Sequence, residues 1–142
     1  MIAPGRGGHE TIGVNVVGQL LTLRQVETVR LDPDRLELLY SQMGEAAADD
    51  VICRAVEELA IRLTRTEQQW RNGDWHEMAR TARSLIAIAD QVGMTKLARI
   101  AGDVVQAARA GDSAAVGATL FRLIRVGERS LTAIWDLQDL SG

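Results

Sequence analysis

The 142-residue chain holds a single cysteine, Cys53, so no intrachain disulfide can form. Its two histidines, His9 and His76, stand far from that cysteine and show no metal-ligand spacing. We therefore expect a reducing, cytoplasmic setting, with no metal and no cofactor. Aromatic residues make up only 4% of the chain and fall mainly at the ends of the helical segments described below, which speaks against a platform for stacking bases. Basic charge is not in excess: the formal net charge is -3, whereas a nucleic-acid backbone calls for a basic surface, and no nucleic-acid partner is expected. No run of about 18 apolar residues occurs, so no membrane span is expected. Arg6 ahead of the modestly apolar residues 11–23 has the outline of a signal peptide, but Asn15 and Gln19 interrupt the run and no small-residue cleavage site follows. Glycine-rich phosphate loops, nucleophile elbows and paired His-Glu zinc spacings are also missing, and the chain is not expected to be an enzyme.

What the chain does have is apolar residues at helical spacing. Its length suits a single domain able to bury a core without covalent staples. In residues 74–93, Trp75, Met78, Ala82, Leu85, Ala89 and Val92 follow at steps of three and four and form an apolar seam. The opposite side carries His76, Arg80, Arg83, Ala87 and Asp90. Asn72-Gly73-Asp74 precedes this segment as a break, with Gly73 placed to turn left-handed, Asp74 to cap, and Glu77 as the return half of a capping box.

The remaining segments follow the same rules. Residues 1–9, rich in glycine, form a tail that includes His9. Residues 12–31 are an apolar arm of mixed pattern: Ile12, Val14, Val16, Val29 and Leu31 alternate as in a strand, while Val17, Leu20 and Leu21 fit a helix. The arm is expected either to pack on the end of the domain or to dock on a second copy. Asp32-Pro33-Asp34 starts a short helix through Leu36, Leu39 and Tyr40 that stops at Gly44. A helix from residue 47 or 49 to residue 71 follows, with Ile52, Val56, Leu59, Leu63 and Trp70 on its seam. After Gly93, Thr95 is placed to cap a helix bearing Leu97, Ile100, Val104 and Ala107 or Ala108. Beyond the turn at Gly111-Asp112, the last helix carries Val116, Leu120, Leu123, Leu131, Ile134 and Leu137, with Gly127 as its soft spot. The pattern predicts an all-α, antiparallel up-down four-helix bundle over residues 32–142, with a short additional helix and the N-terminal arm of residues 1–31.

Over residues 31–137 this organisation resembles the histidine-containing phosphotransfer (HPt) domain of two-component phosphorelays. That family's central helix bears Ala-His-x-Leu-Lys-Gly-x-Ala and closes at a glycine six residues after the motif glycine. The matching run here is Ala82-Arg83-Ser84-Leu85-Ile86-Ala87-Ile88-Ala89, closed by Gly93. Gly73-Asp74, Gly93-Met94-Thr95-Lys96-Leu97 and Gly111-Asp112 fit as well. The departure falls on the chemistry: Arg83 replaces the phosphoaccepting histidine, Ile86 the lysine and Ala87 the glycine. A neutral imidazole has a free lone pair to accept a phosphoryl group, whereas guanidinium nitrogens are donors only.

The resemblance therefore implies a non-relaying, pseudo-HPt module that docks a response-regulator receiver domain or a histidine kinase. Arg83 would reach the partner's acidic pocket with bidentate hydrogen bonds, Ile86 would add apolar contact, and His76, Arg80, Ala87 and Asp90 would complete the surface. Two other expectations stand beside it. His76 lies about 10 Å from Arg83 and about 20° off its face on a straight helix, which makes it a candidate displaced phosphoacceptor. Alternatively, the domain is a structural bundle that forms a homodimer through the N-terminal arm, and Arg83 simply pairs with Glu77 or Asp90 on the helix surface.

Overall fold

The structure, a computed structural model, describes residues 32–141, with side chains described as far as Thr132. The apolar arm, His9, Ile134 and Leu137 lie outside the described residues or side chains. The described chain is all-α: α1 (Pro33–Met43), α2 (Glu45–Arg71), α3 (Trp75–Gln91), α4 (Thr95–Ala110) and α5 (Ser113–Ser141). Packing contacts run from α1 to α2, from α2 to α3, from α3 to α4, from α4 to α5, and from α5 back to α2.

Local chemistry sets the helix boundaries. At α1, the Asp32 carboxylate accepts the Asp34 N–H at 3.0 Å and Pro33 supplies the first helical residue. Gly44, at φ +84, closes α1 by donating its N–H to the Tyr40 carbonyl. Its own carbonyl accepts the Ala48 N–H at 3.0 Å, so α2 begins at once at Glu45 rather than at residue 47 or 49. The exposed first turn of α2 has no apolar periodicity to announce it.

Two expected caps turn out differently. Asp74 does cap α3, accepting the Glu77 N–H at 3.3 Å. The return half of the capping box is not formed, because the Asp74 N–H already donates to the Gln69 carbonyl at 2.9 Å and the Glu77 carboxylate takes Arg80. At α4 the capping position belongs to Met94, not Thr95; Met94 is buried and donates its N–H back to the Ala89 carbonyl at 2.8 Å, leaving Thr95 as the first helical residue.

The seams meet in one core. On α3, Met78, Ala82, Leu85, Ala89 and Val92 are buried, while Trp75 is half-buried against them. α4 buries Ala98, Ala101 and Val105 in addition to its expected seam, as a helix packed on both α3 and α5 requires. On α2 the seam of Ile52, Val56, Leu59 and Leu63 continues into Thr66, whose buried hydroxyl donates to the Arg62 carbonyl at 2.7 Å. Trp70, expected on this seam, is instead 38% exposed. It lines a cleft with Gly117 of α5, which offers no side chain to cover it. Gly127 is not a soft spot. It is buried against α2, and a β-carbon there would sit 2.6 Å from Leu63 Cδ1, so the missing side chain is what lets the two helices approach at this point. Among the described residues no buried side-chain polar atom lacks a hydrogen-bond partner.

The start of α1 is fastened to the turn between α3 and α4. The Asp32 N–H donates to the Gly93 carbonyl at 2.8 Å, and Arg35 Nε donates to the Asp90 carbonyl at 3.1 Å. Gly93 has φ +80, and a β-carbon there would meet the Asp32 backbone at 3.1 Å. This contact fixes where the chain enters the domain relative to the outer face of α3.

Candidate docking face on α3

The outer face of α3 presents a row of exposed residues: His76, Arg80, Arg83, Ala87 and Asp90. They share this face because successive members are three or four positions apart on a helix rising about 1.5 Å per residue. The helix is held in place by its buried seam and by Thr81, whose hydroxyl lies 2.8 Å from Gln69 Oε1 of α2 and 3.0 Å from the Glu77 carbonyl. Thr81 carries no signal in a pattern of apolar residues, and its role is visible only once α2 is alongside.

The charges on the row are not equivalent. Arg80 Nη1 reaches Glu77 Oε2 at 3.1 Å, an exposed pair of the kind that contributes roughly 0–1 kcal/mol. Arg83 pairs with neither Glu77 nor Asp90, and among the described residues it makes no hydrogen bond or ion pair. The Asp90 side chain is exposed, while its backbone carbonyl is taken by Arg35, so the C-terminal end of the row is bordered by α1. His76 is exposed in the first turn.

Ile86 departs from the expected surface. It is half-buried and packs against the core, with Cδ1 at 3.9 Å from where a β-carbon on Gly102 of α4 would lie. Its side chain is therefore turned toward α4, and five of the six expected surface residues form the exposed row while Ile86 flanks it. Ala87 adds little bulk beside Arg83, which leaves the guanidinium approachable.

Other features fall outside the expected set. Phe121 is 67% exposed on α5, with the Arg125 guanidinium 5.7 Å from its ring centre. A shallow cleft of about 370 Å³ between α4 and α5 is lined by Lys96, Arg99, Asp103 and Arg122. Among the described residues, no three of His, Cys, Asp and Glu converge as metal ligands would, and no helix is long and apolar enough to cross a membrane. Compared with models of protein families, with curated proteins and with solved structures, the chain matches none.

Proposed function

We propose that residues 32–142 form an HPt-like antiparallel up-down four-helix bundle of α2 to α5, with α1 across one end. In this reading the domain binds a receiver domain or a histidine kinase without relaying phosphate. The observation that carries it is Arg83: exposed, without a hydrogen bond or ion pair among the described residues, and central on α3, at the position that the resemblance aligns with the HPt histidine. The short turns between successive helices and the contacts that return from α5 to α2 support the bundle.

The chemistry follows from the guanidinium. It offers two parallel N–H donors to a carboxylate or an aspartyl phosphate. It has no lone pair with which to accept the phosphoryl group, so the encounter ends in binding. Arg80, partly engaged by Glu77, adds positive potential one turn away, and a receiver's acidic pocket complements both.

The test is a titration of the full chain against receiver domains and histidine kinases from the same organism. A partner should bind wild type and lose about tenfold or more of its affinity with Arg83→Ala, the effect of removing a hydrogen bond to a charged group. The proposal is abandoned if no such partner binds, or if binding ignores the substitution.

A further inference from the structure

The edge of α4 that borders α5 is cationic. Lys96, Arg99 and Asp103 follow at steps of three and four along α4 and so share one side of it. With Arg122 of α5 they line the cleft of about 370 Å³ between the two helices, and Thr95 completes the polar lining. Ile100, only 2% exposed, is the one apolar residue of the lining and ties it to the core. Lys96 is half-buried, while Arg99, Asp103 and Arg122 are exposed.

Other arginines of the domain have acidic partners on their own helix: Arg62 pairs with Glu58, Arg71 with Glu67, and Arg80 with Glu77. Asp103 stands four residues beyond Arg99, a spacing that two of those pairs use. Yet Lys96, Arg99, Asp103 and Arg122 make no hydrogen bond or ion pair among the described residues. Three cations thus share one concavity with a single carboxylate, in a chain whose net charge is -3. A concavity dominated by one sign of charge focuses its field and draws in ions of the other sign.

We propose that the α4–α5 cleft binds a phosphate monoester. The lining holds two positive charges more than negative ones. A phosphate monoester, with a charge of about -1.5 to -2 at neutral pH, matches that excess, and a single carboxylate does not. The donors suit it as well: Arg99 and Arg122 bring guanidinium forks from two different helices, and Lys96 adds a point charge. Asp103, the one carboxylate among these donors, is left for a hydroxyl of the ester's organic part. The cleft volume falls within the roughly 300–1,000 Å³ of small-molecule pockets. A nucleic-acid backbone would need positive charge well beyond the cleft, which this acidic chain does not supply. Gly102, on a different edge of α4, is the residue beside Ile86 of α3, so the cleft is separate from the row that holds Arg83 and the two proposals stand or fall separately.

The experiment is an NMR titration of the full chain with inorganic phosphate and with glycerol phosphate at neutral pH, against sodium chloride at matched ionic strength. Wild type, Arg99→Ala, Arg122→Ala and Arg109→Ala are compared, with circular dichroism to verify that helix content is kept. Amide shifts are expected to saturate and to cluster around residues 95–103 and 122. Arg99→Ala and Arg122→Ala should each weaken binding about tenfold or more, as loss of a hydrogen bond to a charged group does. Arg109, in the last turn of α4 and outside the cleft, should be replaceable without effect. Co-sedimentation with phosphatidylcholine vesicles, with and without phosphatidic acid, separates the sources of the phosphate. Capture by phosphatidic acid that Arg122→Ala abolishes assigns the site to a lipid headgroup; glycerol phosphate binding without capture assigns it to a soluble ester. Both substituted cleft arginines are exposed, and if either variant loses its helices the other carries the test. The proposal is overturned if phosphate and glycerol phosphate shift the amides no differently from chloride. It is also overturned if folded cleft variants bind as wild type does, or if Arg109→Ala weakens binding as much as they do.

Discussion

Arg83 and Tyr40 show how much one side chain's neighbours decide. Arg83 makes no hydrogen bond or ion pair among the described residues, while Arg80, one turn earlier, pairs with Glu77. On the proposed HPt-like reading, Arg83→His supplies a histidine at the centre of the row but leaves Ile86 and Ala87 where HPt domains carry lysine and glycine. The expected outcome, measured with a phosphorylated receiver and an acid-lability assay, is little or no stable label. Tyr40, the chain's one tyrosine, is half-buried at α1 and donates its hydroxyl to Asp49 of α2. Burial first, then the hydrogen bond and the negative charge of Asp49, raise its pKa well above the ordinary phenol value. A raised folded-state pKa contributes stability that is complete below the unfolded value of about 10 and is lost as pH climbs beyond it toward the folded value. Phenolate absorbance should therefore stay silent through pH 10 and rise only with alkaline unfolding. Tyr40→Phe should flatten that part of the pH dependence and cost about 1–2 kcal/mol at neutral pH, read by urea denaturation, because Asp49 loses its donor.

Among the helices, the glycines separate into those that close a turn and those that let two elements meet. Gly93 does both. Gly93→Ala puts a β-carbon on a residue at φ +80 and drives it toward the Asp32 backbone at 3.1 Å. The expected cost is about 1–3 kcal/mol, with faster proteolysis around residue 32 as α1 loosens. Gly127 and Gly102 provide a matched pair inside helices. At Gly102 an added β-carbon makes only ordinary contact with Ile86 at 3.9 Å, so Gly102→Ala should stabilise by about 0.5–1 kcal/mol through helix propensity. At Gly127 the same change meets buried Leu63 at 2.6 Å, and overpacking of about 1–3 kcal/mol offsets the propensity gain. Thermal unfolding should thus move in opposite directions for the two variants. The sequence pattern alone marks Gly127 as a weak point of its helix, since propensity is local and the atom opposite is not.

For the molecule as a whole, one core joins the seams of all five helices. Leu85 is fully buried at its centre, and Leu85→Ala should cost about 2–5 kcal/mol in chemical denaturation. The all-α class and the five helical segments were legible because each amphipathic stripe repeats every three or four residues and each break carries a glycine or an aspartate cap. Of the candidate site, the exposed row His76, Arg80, Arg83, Ala87, Asp90 was legible for the same reason: it is the complement of the seam. Ile86 was not, because its side chain lies between the buried and exposed faces and α4 is what draws it inward. The cleft that Trp70 lines with Gly117 was equally hidden, since Trp70 sits in seam register.

The sequence by itself therefore determined which stretches become helices, where most of them end, and which stripe of α3 turns inward. Those features rest on interactions within a few residues along the chain. Only the tertiary structure decided that Arg83 makes no hydrogen bond or ion pair among the described residues, that Gly127 is a point of close approach, and that Trp70 and Phe121 are exposed along one cleft. The last two depend on what another helix places opposite: a leucine pressed against a glycine, or a glycine with nothing to cover an indole.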